Sequence, residues 1–282
     1  MYARALTWWT ILRISLEERL VYRGDFALGT LMRFLPIVTQ IFLWWAIFES
    51  KKADELAAGA RGVALSIRGY SYDDFVAYYL LTMLSRAFSS MPGLASTTAR
   101  QVRDGEVKKF LIQPIDMVGF LLVSRVAHKL AYYSVAVAPF ALVFFLCRGY
   151  FSGWPDAGTM AAYLAALVMG FVLGFFLEMA IGLISFWFLE VSSLLFVYML
   201  LSFFLSGHMF PLDMLPEPWN YIVDFFPLRY LAYFPAAIFL GKVQGMALVW
   251  GLLIEAAWVL FFIALTRFMW SRGVRRYSGF GG

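Results

Sequence analysis

Six long apolar stretches divide the chain, and most polar residues lie between them. A helix needs about 20 mostly apolar residues to cross a membrane. We therefore predict six transmembrane helices, the third extended backward by a turn-forming stretch at Met117–Lys129. The six stretches are Phe26–Phe48, Phe75–Met91, Leu130–Cys147, Ala157–Leu189, Val191–Phe210 and Val243–Thr266.

Residues 1–23 have a different pattern. Trp8, Leu12 and Leu16 recur at helical spacing, while Arg13 and Glu17, four residues apart, lie on another face. This pattern predicts an amphipathic helix on the membrane surface, with the tryptophans at headgroup depth. The alternative is that these residues form the cytoplasmic start of the first long helix. No secretory signal peptide is expected, because a short apolar core with a cleavage site is missing.

The composition agrees with a membrane protein and excludes an ordinary soluble enzyme. Of the 282 residues, 62% are hydrophobic and only 15% are charged, whereas soluble domains are about 25% charged. No linker-like stretch separates two halves, so we predict one all-α polytopic membrane domain over residues 1–282. One cysteine and two distant histidines give no basis for a disulfide or a metal site.

The distribution of Lys and Arg predicts the orientation. Loops rich in these residues remain in the cytoplasm. With the N-terminus placed in the cytoplasm, about twice as many Lys and Arg residues fall in cytoplasmic segments as in outer segments. We therefore predict that both termini are cytoplasmic and that the chain lies in the cell (inner) membrane.

The cytoplasmic segment at residues 94–116 is charged and has helical spacing. Leu94, Thr98 and Val102 are four residues apart, Gly105 interrupts the pattern, and Pro114 ends it. This residue pattern predicts a short helix, a break and a second short helix. Such a loop is either a surface element or a docking element for a soluble partner.

The outer segment at residues 206–242 is apolar but interrupted. It contains half of the chain's 10 prolines together with many aromatic residues, and proline breaks helices. Unpaired backbone is not tolerated in lipid. We therefore predict a re-entrant segment of short helices that dips into the outer leaflet.

Five ionisable residues lie in or beside the predicted spans, where charge is costly and usually functional. Glu178 belongs to a stripe with Gly170, Gly174 and Gly182 on one helical face. Small residues four apart let another helix approach closely, so Glu178 either bonds a neighbouring helix in a packing groove or handles substrate or protons. The other four candidates for a pathway or an intramembrane polar site are Glu255, His208, Arg33 and Arg86.

Catalytic motifs are missing from the sequence. Gly241 and Lys242 are followed by Val243 and have no upstream glycine, so they do not form a phosphate-binding loop. No nucleophile elbow or metalloprotease motif is present either. We therefore expect that this chain is not an enzyme and binds no nucleic acid.

Three motifs resemble a known family. Residues 104–115, Asp-Gly-Glu-Val-Lys-Lys-Phe-Leu-Ile-Gln-Pro-Ile, resemble the inner loop of ABC-2 type permeases. Residues 226–230 (Phe-Pro-Leu-Arg-Tyr), 233–235 (Tyr-Phe-Pro) and 240–242 (Leu-Gly-Lys) resemble the outer segment of one uncharacterised subgroup. The tail at 277–282 resembles that subgroup's Tyr-x-Gly-x-Gly ending.

The resemblance implies an ABC-2 type exporter fold and a division of labour. Two permease chains, as a homodimer or a heterodimer, would assemble with two separate ATP-binding subunits that hold ATP and Mg, so this chain needs no cofactor. Spans one, two and five would line the pathway. The alternative is an ion- or proton-coupled secondary transporter or channel. The resemblance assigns coupling to the ATPase to Arg100, Val102, Arg103, Asp104, Gly105, Glu106, Lys108 and Lys109.

Overall fold

The computed structural model describes residues 2–21, 23–57, 65–188 and 190–277. Within these ranges the regular structure is helical, and the β-type pairing is one isolated bridge between Ile67 and Tyr70. The α-helices are α1 (Tyr2–Leu20), α2 (Arg23–Ala57), α3 (Tyr72–Ser89), α4 (Leu94–Arg103), α5 (Lys108–Ile112), α6 (Met117–Leu146), α7 (Ala157–Leu183), α8 (Ser192–Leu205), α9 (Trp219–Phe225), α10 (Tyr233–Phe239) and α11 (Gly245–Arg276).

Four of the described helices are long and apolar enough to cross a membrane. They are α2, α6, α7 with its 3₁₀ extension, and α11, and they correspond to the first, third, fourth and sixth predicted spans. α3 has 18 residues and carries Asp73, Asp74 and Arg86, while α8 has only 14 residues. The prediction that α3 and α8 also cross the membrane therefore stays a prediction.

Two predicted boundaries are wrong. Met117–Lys129 is not turn-forming but is the first part of the continuous helix α6. The Asp116 carboxylate accepts a hydrogen bond from the Gly119 amide at 2.8 Å, which caps this helix and lets it begin early. The fourth span does not reach Leu189: α7 ends at Leu183 and tightens into a 3₁₀ turn, Ile184–Phe186.

α7 lies at the centre of the fold, and its glycine stripe is a close-packing face. α3, α4, α10 and α11 all contact α7. A Cβ at Gly182 would lie 2.8 Å from the Ala95 carbonyl oxygen, and one at Gly170 would lie 3.2 Å from the Tyr230 carbonyl oxygen. A Cβ at Gly174 would overlap the carbonyl oxygen of Ser89. The packing role predicted for small residues is confirmed.

α1 packs against the start of α6. A Cβ on Gly119 would lie 3.0 Å from the Trp8 ring, so this ring covers the first turn of α6. The predicted pairing is present, with Arg13 Nε donating to Glu17 Oε1 at 2.9 Å. The helical nature of this segment is confirmed, while its position on the membrane surface stays a prediction.

Candidate functional site

The coupling segment, residues 94–116, has the predicted helix–break–helix form. α4 ends at Arg103, a turn follows, and α5 begins at Lys108. Gly105 has φ of +80°, a left-handed conformation that glycine adopts without steric cost. The single glycine therefore sets the angle between the two short helices.

One face of α4 is buried on α7. Leu94, Ala95, Thr98 and Val102 are all at most 4% exposed. Val102, which the resemblance assigns to coupling, packs in a buried cluster with Met179 and Leu183 of α7. Gly182 of α7 leaves no gap beneath Ala95 and Thr98, so α4 packs closely against α7.

The opposite face of the coupling segment is charged and exposed. Neighbouring charges pair there, with Arg103 Nε 3.2 Å from Asp104 Oδ1 and Lys109 Nζ 3.5 Å from Glu106 Oε2. Exposed pairs of this kind contribute little stability, so they are free to exchange partners. The predicted coupling residues with exposed side chains are Arg100, Arg103, Asp104, Glu106, Lys108 and Lys109.

Two basic residues of α6 bond the end of α3 and the turn that leads into the coupling segment. The Arg125 guanidinium donates to the Pro92 carbonyl at 3.0 Å, and Lys129 Nζ donates to the carbonyls of Ser90, at 2.7 Å, and Ala87. These carbonyls belong to the end of α3 and the turn before α4. Sequence reasoning missed this role because it placed both residues in a loop. Their four-residue spacing on one helical face was the available signal.

The C-terminal end of α11 also meets the coupling segment. The Tyr277 ring packs on Phe186 with ring centroids 6.0 Å apart. A Cβ on Gly105 would lie 3.3 Å from the Tyr277 hydroxyl. The inner-loop motif and the first residue of the tail motif are thus adjacent, which their separation in sequence did not indicate. The rest of the tail, residues 278–282, lies outside the described residues.

A mainly apolar cavity of about 350 Å³ with a few polar side chains lies between α2, α3 and the end of α8. We call it the α2–α3–α8 cavity. Its walls carry two of the predicted intramembrane residues, Arg86 and His208, together with Gln40, which the sequence did not single out. His208 also packs on Phe203, with centroids 5.4 Å apart. The helices around this cavity are those of predicted spans one, two and five.

Glu178 links this cavity to the coupling segment. Its carboxylate accepts hydrogen bonds from the backbone amides of Met91 and Ala95 and interacts electrostatically with Arg86 and Arg125. Tyr198 on α8 interacts with both Glu178 and Arg86. The packing-groove interpretation of Glu178 agrees with these contacts, because the residue bonds the turn between α3 and α4.

Of the remaining two candidates, Glu255 lies apart from this cluster. Glu255 on α11 is fully buried, and neither carboxylate oxygen has a hydrogen-bond partner among the described residues. A Cβ on Gly170 would lie 3.9 Å from Glu255 Oε1, so Glu255 faces the α7 stripe and not the cavity. The side chain of Arg33 lies outside the described residues.

The outer segment contains the predicted short helices. Tyr79 donates to the Met209 carbonyl at 2.7 Å, and Tyr78 donates to the Gly207 carbonyl. The Tyr233 amide donates to the Ser206 carbonyl at 2.8 Å. Hydrogen bonds from α3 side chains therefore anchor the beginning of this segment in the wall of the α2–α3–α8 cavity.

A second contact joins the coupling segment to α8. Arg103 Nη1 lies 4.0 Å from Glu190 Oε2, beside a polar cavity of about 240 Å³. The Ser192 amide donates to Glu190 Oε1 at 2.8 Å, and hydrogen bonding to Ser192 lowers the pKa of Glu190. The charged carboxylate therefore stands at the N-terminus of α8, within reach of α4.

Comparison with known proteins agrees with this architecture. Residues 34–281 match the family described as ABC-2 family transporter protein. No curated protein matches the chain. Permeases of this family are generally non-catalytic membrane subunits and normally work with ABC ATP-binding subunits. The chain belongs to the ABC-2 transporter family and is a multi-pass membrane permease subunit.

Proposed function

We propose that this chain forms the translocation pathway of an ATP-driven exporter whose motor lies in separate subunits. One observation carries the proposal: α4, with its charged and exposed face, packs on α7 and directly follows the end of α3, which Arg125 and Lys129 of α6 bond and which lines the α2–α3–α8 cavity. A docking surface and a membrane cavity are thus parts of one continuous set of packed elements, as coupling over a distance requires.

In this mechanism, ATP and Mg bind the partner subunits and draw them together. The exposed charges of the coupling segment follow that movement. Because α4 packs on α7 and follows directly after the turn at the end of α3, the displacement tilts α3 relative to α2 and α8. Access to the cavity then changes from the cytoplasmic to the outer side, and the outer segment acts as the gate.

The proposed assembly has two ATP-binding subunits and two permeases, as a homodimer or a heterodimer. The chain would span the inner membrane six times with both termini cytoplasmic, α3 and α8 included, and α1 would lie on the membrane surface. The Tyr-x-Gly-x-Gly ending is the reason to place it in that uncharacterised subgroup. The family match does not favour the ion- or proton-coupled alternative.

Co-purification with the ATP-binding subunit tests this proposal. Glu106→Arg reverses a charge on the exposed face, and Gly105→Pro removes the left-handed turn between α4 and α5. We expect each variant to reduce recovery of the ATP-binding subunit at least about tenfold, which corresponds to about 1.4 kcal/mol of binding free energy. The permease itself should still insert in the membrane.

Glu49→Arg is the matched control. Glu49 is 52% exposed and pairs with Lys52 three residues later, as Glu106 is 52% exposed and pairs with Lys109. The control lies at the other end of the membrane helices and should leave recovery of the ATP-binding subunit unchanged. Normal recovery with both Glu106→Arg and Gly105→Pro would contradict the assignment of the coupling segment.

A further inference from the structure

A second, larger cavity lies on the other side of α3 from the proposed pathway. It has a volume of about 770 Å³ and is enclosed by α3, α6, α7 and α10. Leu81 and Leu84 of α3 line it, whereas Thr82 and Arg86 line the α2–α3–α8 cavity. We call it the α6–α7 cavity. Its size is within the range of small-molecule sites, about 300–1,000 Å³.

The α6–α7 cavity lies where two long membrane helices end. α6 ends at Leu146 and α7 begins at Ala157, and both are apolar enough to cross the membrane. Trp154, in the connection between them, lines the cavity and is 85% exposed. Tryptophan is enriched at the depth of lipid headgroups. These positions indicate that the cavity opens near the membrane–water boundary.

A cation stands at the rim of this cavity. Arg148 follows the end of α6 and lies over the Phe145 ring, 4.7 Å from its centroid. Its side chain makes no ion pair within the described ranges. The deeper walls are apolar and include Val137 and Phe140. An occupant that satisfies both parts has an anionic end and a hydrocarbon end.

The wall also contains a polar atom without a partner. Tyr163 of α7 lines the cavity and is 4% exposed, and its hydroxyl has no hydrogen-bond partner among the described residues. Its ring packs on Phe239, with centroids 5.2 Å apart. Buried hydroxyls are normally hydrogen-bonded.

We infer that the α6–α7 cavity is a binding site for an anionic glycerophospholipid taken from the surrounding leaflet. Its phosphate pairs with Arg148, and one acyl chain fills the apolar part beside the Tyr163 ring. Arginine–phosphate bonds are strong, and the ammonium group of a zwitterionic lipid would be repelled by the Arg148 charge, so this site favours anionic over zwitterionic lipid. It is separate from the proposed pathway and from the coupling segment.

Native mass spectrometry of the full chain in mild detergent tests the inference with two probes, dioleoyl phosphatidylglycerol and dioleoyl phosphatidylcholine. We expect the wild-type chain to retain phosphatidylglycerol in preference. Arg148→Gln should lower that retention about tenfold and lower the retention of phosphatidylcholine less. Arg272→Gln is the matched control, because Arg272 also stacks on a phenylalanine near a helix end, 5.4 Å from the Phe268 centroid.

A second variant tests the apolar part. Ala141→Phe places a ring in the cavity and should reduce retention of both lipids. The inference is overturned if Arg148→Gln retains phosphatidylglycerol as the wild type does, if Arg272→Gln loses it equally, or if Ala141→Phe has no effect. None of these measurements involves the ATP-binding subunit, so they are independent of the proposed coupling.

Discussion

α7 and α8 are consecutive apolar helices with opposite surroundings. In the span formed by α7 and its 3₁₀ extension, 61% of the residues in the most apolar part are buried within the chain. In α8, by contrast, a single residue, Ser202, is buried. α7 is thus the frame to which the coupling segment, the outer segment and α11 are attached, whereas α8 is held mainly at its two ends. A fixed helix beside a loosely held one is what a gated cavity needs.

The difference has a steric origin. α7 has small residues at the contacts with neighbouring backbones, so α3 and α4 approach within van der Waals distance. α8 instead directs bulky side chains outward, among them Phe196, Met199 and Phe204. Similar mean hydropathy therefore produces a core helix in one case and a lipid- or partner-facing helix in the other.

The largest expected effect comes from filling the α7 stripe. In Gly174→Ala, the added Cβ overlaps the Ser89 carbonyl, and the backbone must move because no flexible side chain can yield. We expect a loss of about 3 kcal/mol of unfolding free energy and a sharp fall in folded yield. Gly29→Ala on α2 is the control, because a Cβ there meets no atom within 4 Å. Equal folded yields of the two variants would contradict the claim that α7 is packed more tightly than α2.

A smaller effect is expected from truncating leucines on the two helices. Leu173 of α7 is fully buried, and Leu200 of α8 is 41% exposed. Leu173→Ala leaves a cavity and should lower the unfolding free energy by about 2 kcal/mol. Leu200→Ala should change it by less than about 0.5 kcal/mol. Thermal unfolding of both variants in one detergent measures the difference, and similar losses would show that α8 is as firmly packed as α7.

The smallest effect is expected from removing the contact between α4 and the start of α8. Arg103→Gln removes the contact between α4 and Glu190. Since both side chains are exposed, the melting temperature should not change measurably. Amide hydrogen exchange in the first turn of α8 should nevertheless become faster, while exchange in α7 stays the same. Unchanged exchange in α8 would mean that this contact does not restrain it.

Much of the fold could be predicted from local patterns. The apolar stretches of α2, α7 and α11, the break at Gly105 and the packing role of Gly182 all follow from residue type and spacing. α6 shows the limit of such reasoning. Arg125 and Lys129 look like loop residues by polarity, yet they lie on a membrane helix, where carbonyls in the turn after α3 accept hydrogen bonds from their side chains. A hydropathy pattern contains no information about such a partner.

The sequence alone determined that this is a helical membrane protein with a charged loop and interrupted outer segment, because hydrophobic length and turn chemistry act locally along the chain. Only the tertiary structure decided which polar residues meet. Arg86 and His208 share a cavity with Gln40, Glu178 bonds the turn before α4, and Glu255 lies apart from them. Those outcomes depend on how helices pack across long sequence separations, where a few ångströms at a glycine contact decide which faces come together.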